Sequence, residues 1–200
     1  GGAANPAPVY NFNNPQIVPT QVRIRASDGE VSSLVTEGVA NLRSGRIRLQ
    51  NANGSELLPL PVPLQIQFWN GAAGWQANAA DTCTLIRASD FAFAFPAQAG
   101  NNLAACETRL QVAGTAPNYT ATLAAPGAGN NGWADLTLNL GAVAAGNQCT
   151  VVGGAGGAAT TANAPWLQFN WAGVVGNPTA RATFGVYRSG PVIHRREAYR

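Results

Sequence analysis

The 200-residue chain contains no methionine and no lysine, and only 10% of its residues are charged. All 12 cationic side chains are therefore arginines, and with nine acidic residues they give a formal net charge of +3. A translated chain starts with methionine, so we expect the sequence to be a processed product or an excised piece. Edge strands are usually guarded by charge, and a surface with so few charges is typical of extracellular β-proteins that assemble through their sheets.

Long hydrophobic runs are also missing. No stretch approaches the roughly 18 apolar residues that cross a bilayer, so no membrane-spanning segment is predicted. The arginines are scattered singly and alternate with apolar residues, as in Arg23, Arg25, Arg46 and Arg48. A nucleic-acid interface would gather them in one patch, so we predict no nucleic-acid partner.

The residues that enzymes need are scarce. The one histidine, His194, lies in a basic tail, and no Gly-x-Ser-x-Gly nucleophile motif is present. The glycine-rich run at 153–157 lacks the lysine of a phosphate-binding loop. No spacing pairs two of the nine acids as a glycosidase requires. We therefore predict that the protein is not an enzyme and has no catalytic residues, no cofactor and no metal site.

Hydrophobic residues that alternate with polar ones indicate the fold. Alternation of this kind is typical of strands that have one face in a core and the other in water. Turn signals recur about every ten residues, and no amphipathic helix of useful length is present. These patterns predict an antiparallel β-sandwich, immunoglobulin-like or jelly-roll-like, over residues 21–200. The clearest predicted strands are 21–26, 46–50, 64–69, 82–87, 91–95, 134–140, 166–171 and 181–188.

Residues 1–20 are rich in Pro, Asn and Ala and have a different character. One interpretation is a disordered linker to an upstream domain. The other is an extended arm that adds a strand to a sheet edge, in its own subunit or in a neighbour. The arm's apolar side chains are Val9, Tyr10, Phe12, Ile17 and Val18.

The three cysteines are Cys83, Cys106 and Cys149. Their spacing contains no Cys-x-x-Cys pair, which argues against a zinc site. Cys83 and Cys106 flank the Phe91, Phe93 and Phe95 stripe, so we predict a disulfide between them if the protein lies outside the cytoplasm. A Cys83–Cys149 bond is the alternative. With the preferred pair, Cys149 is buried and free, or joined to another subunit.

Aromatic residues offer a binding surface. Trp69 falls on the same strand face as Gln65 and Gln67, opposite the apolar row, and Trp75 and Trp133 follow in loops or strands. Trp69, Trp75 and Trp133 are thus candidates for a platform on which sugars stack. A second sheet or a partner that covers this face would explain the same pattern.

Several longer motifs stand out, namely residues 165–171, 180–188 and 195–199, the stretch 45–64 and the later Asp81-Thr82-Cys83-Thr84. Together they resemble the C-terminal domain of MshQ-like proteins, which are large bacterial surface proteins linked to biogenesis of the mannose-sensitive haemagglutinin pilus. The resemblance implies an exported, non-enzymatic β-domain. Members often have an Asp-rich loop after the strand at 166–171, whereas residues 172–178 here contain no carboxylate. Calcium is therefore not expected there.

From the residues and this resemblance together we predict an extracellular structural or adhesive subunit at the bacterial cell surface. It would act in a surface filament or pilus-associated assembly, by strand addition to copies of itself or to sibling subunits. The alternative is a lectin-like module that binds glycans through exposed tryptophans.

Overall fold

The computed structural model of the protein describes residues 16–25, 30, 37–151, 156–171 and 173–185. These residues form strands and three short 3₁₀ turns, at Gly71–Ala73, Ala88–Asp90 and Pro165–Leu167. The strands are β1 (Thr20–Ile24), β2 (Gly38–Leu42), β3 (Gly45–Leu49), β4 (Ala52–Gly54), β5 (Leu60–Val62), β6 (Leu64–Trp69), β7 (Trp75–Ala77), β8 (Phe91–Ala94), β9 (Leu110–Thr115), β10 (Asn118–Leu123), β11 (Gly132–Leu138), β12 (Phe169–Asn170), β13 (Val175–Gly176) and β14 (Thr179–Phe184).

Three sheets enclose one hydrophobic core. Their strand orders are β5-β10-β9, β4-β14-β11-β8 and β3-β6-β7, and two further ribbons pair β1 with β2 and β12 with β13. The strand pairs are antiparallel except that β4 runs parallel to β14. The predicted all-β sandwich is confirmed.

Alternation along β11 shows how the core forms. Ala134, Leu136 and Leu138 are fully buried, while the residues between them are half-exposed. Leu136 lies opposite Phe93 and Leu138 opposite Phe91, and both phenylalanines are buried. The phenylalanine stripe is therefore core packing. Burial of each such side chain contributes roughly 1.5–3 kcal/mol.

Three prolines, Pro59, Pro61 and Pro63, precede β6. Pro61 lies in β5, which is an edge strand of its sheet and, among the described strands, pairs with β10 alone. Proline has no N–H to donate, so an edge is where a sheet tolerates it. The β6–β7 hairpin follows, and its 3₁₀ turn is bounded by Gly71 and Gly74, which both have positive φ.

Two predicted strands are wrong over most of their length. Residues 82–87 are not a strand, because the Asp81 carboxylate folds the chain into a turn by accepting bonds from Cys83 N–H, Thr84 N–H and the Thr84 hydroxyl. Residues 166–171 begin in the 3₁₀ turn Pro165–Leu167, and only Phe169–Asn170 is extended.

The predicted disulfide Cys83–Cys106 is also wrong. The bond joins Cys106 to Cys149, and both residues are fully buried. Cys83 is free and exposed in the Asp81 turn. Neither bonded cysteine lies in a strand, and both have positive φ, 56° at Cys106 and 26° at Cys149, so strand alternation does not indicate the pair.

The start of the described chain contacts the β3–β6 region. Ile17 N–H donates to Ser44 Oγ at 2.8 Å, and β1 begins at Thr20. Val18 is half-exposed beside Gly71. The other predicted arm residues, Val9, Tyr10 and Phe12, lie outside the described residues. Nowhere in the described part of the chain is a helix long and apolar enough to cross a membrane.

The first prediction concerns the disulfide. Its partners are 43 residues apart, and closing a loop of that length stabilises the fold by about 4 kcal/mol in the chain-entropy model. The double variant Cys106→Ala/Cys149→Ala should lose stability of that order in urea unfolding. Cys83→Ser, as the control, should unfold at the wild-type midpoint. A larger loss in Cys83→Ser than in the double variant would contradict the pairing.

The second prediction concerns acid stability. Burial alone raises the pKa of Asp81, but the four hydrogen bonds from Thr84 and Cys83, which include a weak one from the Cys83 thiol, outweigh it and lower the pKa below its ordinary value. A depressed folded pKa stabilises the protein above the ordinary value of 3.8, and this contribution is lost as the pH falls through the folded pKa.

Asp81→Asn should therefore lower the free energy of unfolding at neutral pH by about 1–3 kcal/mol and flatten the acid side of the stability–pH curve. Thr84→Val, which removes only the hydroxyl donor, should show a smaller effect of the same sign. Thermal unfolding between pH 2 and 7 measures both. If stability falls with acid as steeply in Asp81→Asn as in the wild type, the lowered pKa of Asp81 is not a source of the acid sensitivity.

Candidate functional site

The β3-β6-β7 sheet has one face in the core and one face that points away from it. Ile47 and Ile66 are buried in the core. The alternating residues Arg46, Arg48, Gln65, Gln67, Trp69, Trp75 and Ala77 occupy the opposite side, which we call the outer face. Cross-strand pairing places Arg46 beside Gln67, Arg48 beside Gln65 and Trp69 beside Trp75.

Four aromatic rings cluster at one end of the outer face. Trp69 and Trp75 meet edge-to-face with centroids 5.6 Å apart. Phe169, from β12, packs against Trp75 at 5.1 Å, and Trp171 packs against Phe169 at 5.1 Å. All three contacts are T-shaped, the arrangement that the ring quadrupoles favour. The cluster holds the β12–β13 ribbon on the sheet.

Arg46 lies inside this cluster. The central carbon of its guanidinium is 4.1 Å from the Trp75 ring centroid, 4.9 Å from that of Phe169 and 5.1 Å from that of Trp171. Each cation–π contact contributes about 0.5–2 kcal/mol. Three rings around one cation fix the position of the guanidinium on the outer face.

A directed chain of hydrogen bonds runs along the face from Arg46. Arg46 Nε donates to Gln67 Oε1 at 2.8 Å, and Gln67 Nε2 donates to Gln65 Oε1 at 2.6 Å. Gln67 is buried, whereas Gln65 and Arg48 are exposed. Within the described residues no acceptor bonds to Arg46 Nη1 or Nη2, to the Arg48 guanidinium or to Gln65 Nε2. The outer face therefore presents unused donors.

The charged side chains of the outer face, Arg46 and Arg48, are both positive. Burial lowers the pKa of Arg46, and repulsion from Arg48 lowers it further. The ion pairs found among described residues, Arg25–Glu37 and Arg181–Asp135, lie elsewhere. Neither Arg46 nor Arg48 thus has a carboxylate partner in the described part of the chain.

A groove of about 640 Å³ continues the outer face at the end opposite the aromatic cluster. Gln65 and Ala77 form its floor on the sheet, and Pro61, Pro63 and Tyr119 line its other side. The Tyr119 hydroxyl donates to the Thr84 carbonyl at 2.9 Å, which anchors that wall. The face and the groove together form one elongated surface.

The outer face carries donors and rings but no carboxylate, imidazole or thiol. Across the described ranges, no three His, Cys, Asp or Glu residues lie close enough together to hold a metal ion. The chemistry that this surface supports is hydrogen-bond donation, charge attraction and ring stacking.

The structure brings together two of the three tryptophans predicted to form a sugar platform. Trp69 and Trp75 are in contact, but Trp133 lies in β11, where Arg181 is 5.6 Å from its ring centroid. One face of Trp75 is occupied by Arg46, so the open aromatic surface is supplied by Trp69 and by Trp171, which is 40% exposed.

Sequence reasoning missed the roles of Arg46 and Phe169. The alternation in β3 and β6 places Arg46 and Gln67 on the side of the sheet opposite the buried isoleucines. This pattern could have identified them as residues of one face. No local pattern shows that β12 folds back onto β3 and β7, because these contacts join residues about a hundred positions apart.

The family model described as DUF6701, fourth domain, matches residues 43–198. The match includes the outer face, the groove and the disulfide, and it leaves out β1 and β2. The search of curated proteins finds no match, and neither does the search of solved structures.

Proposed function

The chain belongs to the family of DUF6701 fourth domains, and on that premise we propose that it is a non-enzymatic, extracellular domain with a structural or adhesive role at the bacterial surface. The buried Cys106–Cys149 disulfide supports the location, since such bonds persist in oxidising compartments. The resemblance to MshQ-like proteins supports a pilus-associated setting.

The proposed mode of action is assembly by strand addition with copies of the chain or with sibling subunits. The observation that carries it is the β1–β2 ribbon. Each of its strands pairs only with the other among the described residues, so no described strand covers either outer edge. Ile24 and Val39 are 53% and 51% exposed on it. A two-stranded ribbon with exposed apolar side chains is a template for pairing with another chain.

The third prediction tests assembly. Val39→Glu places a charge on the ribbon opposite Arg23, so the ribbon itself keeps a favourable cross-strand pair while the edge is blocked. We expect the wild type to sediment as oligomers whose size grows with concentration, and Val39→Glu to sediment as smaller species.

The matched control is Leu85→Glu, because Leu85 is also 51% exposed but lies outside the ribbon. It should assemble like the wild type. A wild type that stays monomeric at all concentrations, or two variants that behave alike, would contradict assembly through this ribbon.

A second candidate function is glycan binding, and the outer face favours it. Half-exposed Trp69 and 40%-exposed Trp171 offer ring surface for a pyranose. Gln65 and Arg48 supply donors for hydroxyl groups. Binding surfaces of this kind combine aromatic rings with a few polar groups that orient the ligand.

The fourth prediction tests this candidate with a glycan array followed by titration of intrinsic tryptophan fluorescence. Glycans that bind on the array should change the tryptophan emission of the protein, because Trp69 and Trp171 lie at the proposed site. Trp171→Ala should weaken binding about tenfold, in keeping with the loss of an aromatic contact. Trp166→Ala is the control, since Trp166 is 69% exposed but outside the cluster. An array with no hits would dispose of glycan binding.

A further inference from the structure

We infer that the outer face binds the carboxylate groups of an anionic polysaccharide, and that Arg46 and Arg48 are the residues that recognise them. This inference rests on the glycan-binding candidate above and specifies its ligand class as chains that contain uronic acids.

The first support is the fixed position of the Arg46 guanidinium. The three aromatic rings and the Nε bond to Gln67 hold it in place. Its two terminal nitrogens donate to no acceptor among the described residues. A fixed, planar guanidinium with two free donors matches a carboxylate in the bidentate geometry of strong Arg–carboxylate pairs. Because the guanidinium is already ordered, binding of a ligand costs little side-chain conformational entropy of Arg46.

The second support is charge complementarity. Arg46 and Arg48 lie two residues apart on one strand face and repel each other. Neither has a carboxylate within ion-pair distance in the described structure, where the ion pairs lie elsewhere. An anion that contacts both arginines would relieve this repulsion, whereas a neutral ligand would not.

The third support is the shape of the surface. Gln65 accepts from Gln67 and also lines the groove, so the row of polar side chains extends from Arg46 through Gln67 and Gln65 to the groove. Between Trp69 and Gln65 the strand spans about 13 Å. That length suits a chain of several sugar units with repeated acidic groups better than a single small anion. The rings at one end provide stacking surface for a pyranose.

The fifth prediction compares two ligands of one backbone, a short oligogalacturonate and its fully methyl-esterified form, by calorimetric titration of the full chain. The acid should bind at least about tenfold more tightly than the ester, and its affinity should fall as salt is raised. Arg48→Gln should lower affinity for the acid about five- to tenfold and leave that for the ester unchanged.

Two further variants complete the design. Arg46→Lys keeps the charge but removes the planar fork, so it should weaken binding of the acid, and the near-ultraviolet circular dichroism of the tryptophans reports whether the cluster survives. Arg109→Gln removes one charge from an exposed position just before β9, away from the outer face, and should bind like the wild type.

The outcomes separate the two proposals. Equal affinity for acid and ester would overturn the carboxylate inference and leave glycan binding standing. Failure of both ligands, together with a silent array, would overturn both. Tighter binding of polyglutamate or of a single-stranded oligonucleotide than of oligogalacturonate would show that the face serves another class of polyanion and would also overturn the inference.

Discussion

The pairing of β3 with β6 is the constraint on which the rest of the structure depends. One side of this pair buries Ile47 and Ile66 in the common core. The register that buries them also places Arg46 next to Gln67 and Arg48 next to Gln65 on the outer face. A slip of one residue would move the isoleucines into water and the arginines into the core. Core stability and surface chemistry are therefore set by one register.

The C-terminal ribbon depends on that register in turn. β12 and β13 contribute only two residues each and bury little of their own. Phe169 and Trp171 attach them to the sheet through Trp75 and the Arg46 guanidinium. The cation–π contacts of Arg46 hold the ribbon, while its terminal nitrogens bond to no acceptor among the described residues. This arrangement leaves little of Trp75 open to a ligand and shifts the available ring surface to Trp69 and Trp171.

The low charge of the chain bears on the assembly proposed for it. The charged residues are few, and the β1–β2 ribbon has apolar side chains that water reaches. Its Arg25–Glu37 ion pair, at 2.6 Å, is exposed on the arginine side and contributes little to stability. The ribbon precedes the region matched by the family model, whereas the outer face lies within it. Assembly and ligand binding are thus proposed for different parts of the chain and can be separated by mutation.

The amino-acid sequence by itself determined the strands whose alternation is strong. The apolar rows of β3, β6, β8 and β11 must face a core, because a two-residue period leaves them no other side. Pro61 likewise keeps β5 out of the middle of a sheet, because proline has no N–H to donate. Only the tertiary structure decided which cysteines are bonded, because the bond joins two loop positions, Cys106 and Cys149, that are 43 residues apart. It alone also decided that Phe169 and Trp171 surround Arg46, since that contact depends on how distant strands pack and not on any local pattern.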